Sequence, residues 1–326
     1  MKKTSFLAHA AVAVAALAAP LAPAWAQAAW PTRPIQLVIP FPPGGATDVA
    51  GRLLAKALEA QLGQPVVPDN RAGAGTIIGA SLVAKAPADG HTLLVTSGTT
   101  FTVNPAIQPR LPYDPVKSFE PVGLVARTGL ILLAHKDAPA NNPREFVALA
   151  KASPGQVIYA SFGNGTTAHF TGELLGHVTG TRLMHVPYKG SAPAMADLMG
   201  GQVPFAVDTV AAAIPQLKGN KVKAIAVTTA RRSALLPNVP TFAESGYMLD
   251  ADTWLAVAAP RGLPPAVKAR LEKALADVVA QPEVRDKLVA SGFEPGYQNG
   301  AAVEALIQKE MPLMRETAQR AHITAD

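Results

Sequence analysis

Two glycine-rich runs carry the residues best suited to chemistry. The first is Pro40-Phe41-Pro42-Pro43-Gly44-Gly45-Ala46-Thr47-Asp48, and the second is Ser161-Phe162-Gly163-Asn164-Gly165-Thr166-Thr167-Ala168-His169. Each lies between an apolar run and a helical pattern. Glycine lets the backbone approach a ligand closely. The helix that follows offers N–H groups without intrahelical partners and the positive end of its dipole, so it attracts anions with no Lys or Arg. Taken singly, each run is also the turn that any strand-to-helix connection needs, with Thr47 and Thr166 as N-caps. Two such runs at the same end of two lobes would face each other across a cleft, which fits a ligand with two carboxylates.

Other chemistries leave little trace. Neither run is G-x-x-x-x-G-K-[ST], and Gly163-Asn164-Gly165 meets the dinucleotide fingerprint only in part, with Ala168 as its third small residue and no acidic partner placed for a ribose. The sequence has no G-x-S-x-G, S-x-x-K or H-E-x-x-H. Its histidines are dispersed and it has no cysteine, so neither a metal site nor a cofactor is expected. His169 falls at a helix start, where it can touch ligand, whereas His91, His135, His177, His185 and His322 read as surface or packing residues. Asp48, in a first helical turn, stabilises the helix dipole. Asp208 ends a strand, at the edge where α/β sheets bind ligands.

The elements that must position these residues alternate. Apolar β-branched strands at 35–39, 65–68 and 92–96 flank helices at 48–62 and 76–86, a βαβαβ unit that implies a parallel sheet. A proline-bearing connection, 104–121, leads to a second such unit. It holds strands at 130–135, 157–161, 183–188, 203–208 and 223–228, with helices at 143–151, 167–179, 192–199 and 211–218. A strand at 254–258 and helices at 265–280, 282–291 and 301–321 complete the chain. The fold expected is α/β, a two-lobed clamshell in which each lobe is a mainly parallel sheet flanked by helices. Lobe I comprises 29–127 plus 251–326, and lobe II comprises 128–250.

Residues 1–28 differ from the rest. Lys2 and Lys3 precede an uncharged Ala/Val/Leu stretch, and Ala24-Trp25-Ala26 and Ala26-Gln27-Ala28 both fit a small-residue cleavage pattern. This is the order of a secretory signal peptide, cleaved after Ala26 or Ala28 in the periplasm. The apolar stretch is shorter than the ~20 residues of a spanning helix. The full chain carries 29 Lys and Arg against 23 Asp and Glu, net +6, which falls to +4 without Lys2 and Lys3. The basic residues are scattered and not interleaved with aromatics, so no nucleic-acid partner is expected.

Further segments give the sequence a family likeness. They are Trp30-Pro31-Thr32-Arg33-Pro34-Ile35, the run 40–48, Asn70-Arg71-Ala72-Gly73-Ala74-Gly75 and Leu111-Pro112-Tyr113-Asp114-Pro115-Val116-Lys117. The run 159–167 follows, then His185-Val186-Pro187-Tyr188-Lys189-Gly190, Leu198-Met199-Gly200-Gly201-Gln202-Val203 and Leu236-Pro237-Asn238-Val239-Pro240-Thr241. In this order, over nearly the whole mature chain, the sequence resembles the substrate-binding proteins of tripartite tricarboxylate transporters, also called Bug receptors. The resemblance implies a periplasmic clamshell that binds a small carboxylate (a dicarboxylate, amino acid, citrate-like or aromatic acid) and delivers it to membrane transporter subunits. It implies no enzyme activity, and we expect a monomer.

Carried onto this chain, the likeness implicates Phe41, Gly44, Gly45, Ala46, Thr47 and Asp48 in the first lobe. In the second it implicates Ser161, Asn164, Gly165, Thr166, Thr167 and His169, with Ser97 and Asp208 completing the wall. Two departures stand out: Val207-Asp208-Thr209 replaces the expected Phe-Asp-Asn, and the return segment 246–254 is short. The competing readings are a periplasmic enzyme using Asp48, His169 or Asp208 as acid or base, and a receptor that presents its ligand to a signalling partner.

Overall fold

The computed structural model describes residues 30–324. Parallel strands β1 (Ile35–Ile39), β2 (Val66–Asn70) and β3 (Thr92–Ser97) form one sheet, with β1 in the middle. The strand β1 is apolar and buried at every position but Gln36, as a central strand covered by helices on both faces should largely be. The long strand β4 (Phe119–His135) continues the path. It pairs antiparallel with β9 (Asp252–Pro260) from Phe119 to Gly129, and β9 joins it to β3. From Leu130 onward β4 belongs to a second sheet, where it pairs with β7 (Phe205–Thr209) and β8 (Val222–Val227). Parallel strands β5 (Val157–Ser161) and β6 (Leu183–Pro187) complete that sheet beyond β7.

The chain therefore crosses between sheets at Gly129–Leu130 and returns before β9. Thr228 ties the crossings together: its N–H donates to Leu130 O at 2.9 Å and its hydroxyl donates to Ala251 O at 2.7 Å.

Strand periodicity splits each lobe's core in two. In β4, Leu130, Leu132 and Ala134 pack with Phe146, Phe205 and Val207, whereas Ile131 and Leu133 face Leu198, Ala206 and Val210. In the first lobe Ile35, Leu37 and Ile39 pack under α1 (Ala46–Leu62). On the other side Val38 and Leu94 meet Phe101, Trp254 and the carboxy-terminal helix α10 (Gly300–Arg320). The remaining helices are α2 (Ile77–Ala84), α3 (Asn104–Ile107), α4 (Pro143–Ala152), α5 (Thr167–Thr179), α6 (Ser191–Met199), α7 (Val210–Lys218), α8 (Pro265–Ala280) and α9 (Pro282–Ala290).

Local signals account for most of these ends. Asn142 caps α4 by accepting from the Glu145 amide, and α1 stops at Gly63, whose φ of 74° only glycine adopts freely.

The structure departs from the sequence expectation in several places. Strand β4 begins at Phe119, inside the stretch taken as a connection, and β2 runs on to Asn70. A strand was missed at Glu294–Asn299 (β10), where Pro295, Gly296 and polar residues conceal it; it pairs with the edge of β4. After β3 the chain turns into a π-helix, Thr99–Val103, despite its β-branched residues. The Thr100 hydroxyl bonds the hydroxyls of Thr96 and Thr76 at 2.6 and 2.8 Å, which holds the turn in place.

A cavity between the lobes

The loop after β1 is shaped by Asp48. One Asp48 oxygen accepts from the Gly44 amide at 2.9 Å and Arg52 Nε at 3.1 Å, and the other accepts from Asn70 Nδ2 at 2.9 Å. Burial alone would raise the pKa of this carboxyl. Arg52, the Gly44 amide and Asn70 outweigh it, and the group stays below its ordinary range. Gly44 adopts φ 84°, and α1 then opens from Gly45 with no side-chain cap. Thr47 is thus not the N-cap anticipated but a residue of the first turn. The first intrahelical bond is Val49 N–H to Gly45 O, so the amides before it have no helical acceptor.

The loop after β5 is closed on itself. Thr166 is a true N-cap, accepting from the His169 amide, and its hydroxyl donates to Gly163 O at 2.7 Å. Ser161 Oγ bonds the amide of Gly163 and lies 2.7 Å from His185 Nε2. His169 and His185 stack with ring centroids 4.1 Å apart. Burial drives His169 down to about 4; burial and its neighbour together drive His185 down to about 3, so both rings are neutral at neutral pH. The Thr167 amide, which opens α5, donates across the lobes to Thr99 Oγ1 at 3.1 Å.

Between the lobes lies a cavity. Phe41, Gly45, Ala46, Thr47, Ser97, Thr167 and Asp208 are in its wall. Asp48, Ser161, Gly165, Thr166 and His169 are not: they brace the two loops from behind, or face the other lobe. Gly44 faces Ala192, and Asn164 presents its backbone oxygen toward Gly75 of the first lobe.

Sequence reasoning missed Thr128, Phe162, Ser191, Thr253, Trp254 and Phe293, which also line the cavity. Ser191 had a signal in the third glycine turn, Gly190, which opens α6. Phe162 lies within the second glycine-rich run itself, whereas the others come from strand ends or crossings and carry no local mark. Phe41 and Phe162 meet edge to face across the cleft, 6.4 Å between centroids.

Among the described residues the wall contains no Lys, Arg or His, and Asp208 is its one titratable group. Burial pushes Asp208 up to about 6, against hydrogen bonds from Ser191 and Thr209 that lower it. The Thr253 hydroxyl, also in the wall, is buried with no hydrogen-bond partner. Such a group costs about 1–3 kcal/mol unless something in the cavity answers it. The arrangement can grip a solute.

Residues 50–320 match the sequence profile of the tripartite tricarboxylate transporter family receptors. The chain belongs to this family. It is thus a periplasmic solute receptor of a binding-protein family and not an enzyme. Among solved structures the receptor is similar to the periplasmic binding protein BugD, at 35% identity and TM-score 0.86, covering 90% of this chain and 99% of that one. It is also similar to an R. palustris protein solved with adipate, at 35% identity and TM-score 0.87, with coverage of 90% and 99%. MatC from Rhodopseudomonas palustris, with bound malate, matches at 32% identity and TM-score 0.85, covering 88% of this receptor and 99% of MatC. These likenesses span both lobes, as the in-order motifs implied.

Proposed function

We propose that the receptor captures a small organic carboxylate in the interlobe cavity, as a monomer, and delivers it to membrane transporter subunits. The observation that carries this reading is the uncapped start of α1. Gly45, Ala46 and Thr47, where it opens, stand in the cavity wall, and among the described residues no cation there competes for the anion. The relatives solved with adipate and malate support the ligand class. The second glycine-rich loop contributes Phe162 and Thr167 to the wall, and its other residues act as scaffold. Export supplies the compartment: the signal segment, which lies outside the described residues, is cleaved after Ala26 or Ala28, and the mature mass should start at Gln27 or Ala29.

A melting screen over mono-, di- and tricarboxylates, amino acids, aromatic acids, sugars and nucleotides tests the reading. Ligand at a hundred times its dissociation constant stabilises the folded state by about 2.7 kcal/mol. That is a shift of several degrees at roughly 2–4 °C per kcal/mol. At least one carboxylate should shift the receptor; a shift by sugars or nucleotides alone would overturn the ligand class. Thr47→Val should weaken binding about tenfold, the loss of one hydrogen bond to a charged group. Thr166→Val should instead cost about 1 kcal/mol of stability, as a lost cap, with the ligand shift nearly intact. The reverse pattern would place the anion at the second loop.

A further inference from the structure

The two sides of the cavity differ in hydrogen-bonding character. The first-lobe wall offers donors: the opening amides of α1 and the hydroxyls of Thr47 and Ser97. On the second lobe the Ser191 hydroxyl gives its single proton to Asp208 Oδ2 at 2.6 Å. It therefore shows the cavity only lone pairs. Asp208 Oδ1 is occupied by the Thr209 amide at 2.7 Å, and Oδ2 keeps a lone pair beyond the Ser191 bond. The side-chain pair is an acceptor surface. The amides that open α6 remain as anion contacts beside it, reduced by Pro193, which has no N–H.

We propose that the Ser191–Asp208 pair makes the receptor select a carboxylate that also carries a hydrogen-bond donor, a hydroxyl or an amino group, and that a second ionised carboxylate enters only with a proton. This rests on the carboxylate reading given above and narrows it.

The proton has one place to go. Asp208 is 1% exposed, and its charge is disfavoured by burial even before an anion approaches. Among the described residues no neighbouring charge relieves it. Arg127 on β4 is paired with Asp252, and Tyr159 on β5 bonds Glu173 on α5. His169 on α5 accepts from the Gly165 amide, and Asp197 on α6 accepts from Tyr188. Lys218 ends α7, at the opposite end from Asp208, and Asp48 across the cavity is paired with Arg52. A second carboxylate beside Asp208 would put two anions in one buried site, which a shared proton resolves. A hydroxyl or ammonium needs no proton to bind there.

The test is calorimetric titration with matched acids of three to six carbons: the α,ω-dicarboxylate, the ω-hydroxy acid and the ω-amino acid of each length. At pH 7.5 the hydroxy or amino acid of the best length should bind at least about tenfold more tightly than the dicarboxylate. Between pH 6.5 and 8 dicarboxylate affinity should fall about tenfold per pH unit, with one proton taken up across buffers of different ionisation enthalpy. The hydroxy acid should show neither effect. Asp208→Asn keeps the size and the acceptor for Thr209 and adds an N–H donor. It should erase the dicarboxylate's pH dependence and reverse the preference, with folding checked by denaturant unfolding. Ser191→Ala, a milder change, should keep the preference for donors.

Dicarboxylates binding best at pH 7.5 without proton uptake would overturn the selection while leaving the carboxylate reading in place. Binding of none of these acids, with a non-carboxylate shifting the melting point, would overturn both.

Discussion

Gly75→Asn is expected to abolish ligand capture while the protein still folds. Gly75 belongs to the first lobe and has φ 57°, a left-handed conformation that asparagine tolerates better than other side chains. A Cβ at this position would lie 2.9 Å from the backbone oxygen of Asn164 and 3.3 Å from that of Gly165, both in the second lobe. Backbone oxygens cannot rotate aside as a long side chain would, so the lobes must stand apart. The flanking geometry is firmly held: Thr76 keeps φ 82°, unusual for a β-branched residue, because its hydroxyl bonds Thr100 and Asn104. Asn104 Nδ2 also donates to Gly75 O at 2.7 Å.

Parting the lobes removes the Thr99–Thr167 bond and separates the two walls that must grip one ligand. Affinity should fall by at least about a hundredfold, the loss of 3 kcal/mol or so. The stability cost should be about 1 kcal/mol. Small-angle scattering should show the wild type contracting on ligand and the variant unchanged. A variant that binds and contracts like the wild type would show that closure does not pass through this contact.

The second large effect falls on Trp254, which is wall and core at once. It is 2% exposed, stacks on Phe101 with centroids 5.9 Å apart, and donates from Nε1 to Glu310 Oε2 at 2.9 Å. Trp254→Ala should cost about 3–5 kcal/mol, the usual price of emptying an aromatic site. It should also enlarge the cavity and loosen its ligand preference.

Trp254→Phe separates packing from hydrogen bonding. Burial already raises the Glu310 carboxyl, and the indole N–H works against that rise. Without the N–H the folded pKa climbs further above the unfolded one. A carboxyl raised in the folded state costs stability when ionised, so the deficit is full above the folded pKa and fades as pH falls. Denaturant unfolding should show the Phe variant weakened by about 1–3 kcal/mol at pH 8 and progressively less toward pH 4.5. A deficit independent of pH would assign the loss to packing alone.

Much of the architecture was legible because it is local. The run at 35–39, apolar but for Gln36, reads as a buried strand, and Thr166 could be named a cap from the residues beside it. The same reasoning misjudged Thr47, because whether a threonine caps depends on where the loop places the helix start. Here Asp48, bound to Gly44, Arg52 and Asn70, starts α1 at Ala46. It missed β10 because an edge strand needs only a neighbour's free backbone groups, which Pro295, Gly296 and polar residues can still supply.

By itself, then, the sequence determined the two α/β lobes, the paired glycine turns and the strand end at Asp208, through periodicities and turn chemistry that act over a few residues. Only the tertiary structure decided which of those residues line the cavity. It set the second loop largely behind the wall, where Thr99 and the stacked histidines satisfy it. It brought Ser191, Thr253, Trp254 and Phe293 to the wall from helix starts, crossings and loops far apart in the chain. The physical reason is that a wall is made by packing between lobes, and such contacts depend on residues a hundred or more positions away, whose spacing leaves no local pattern to read.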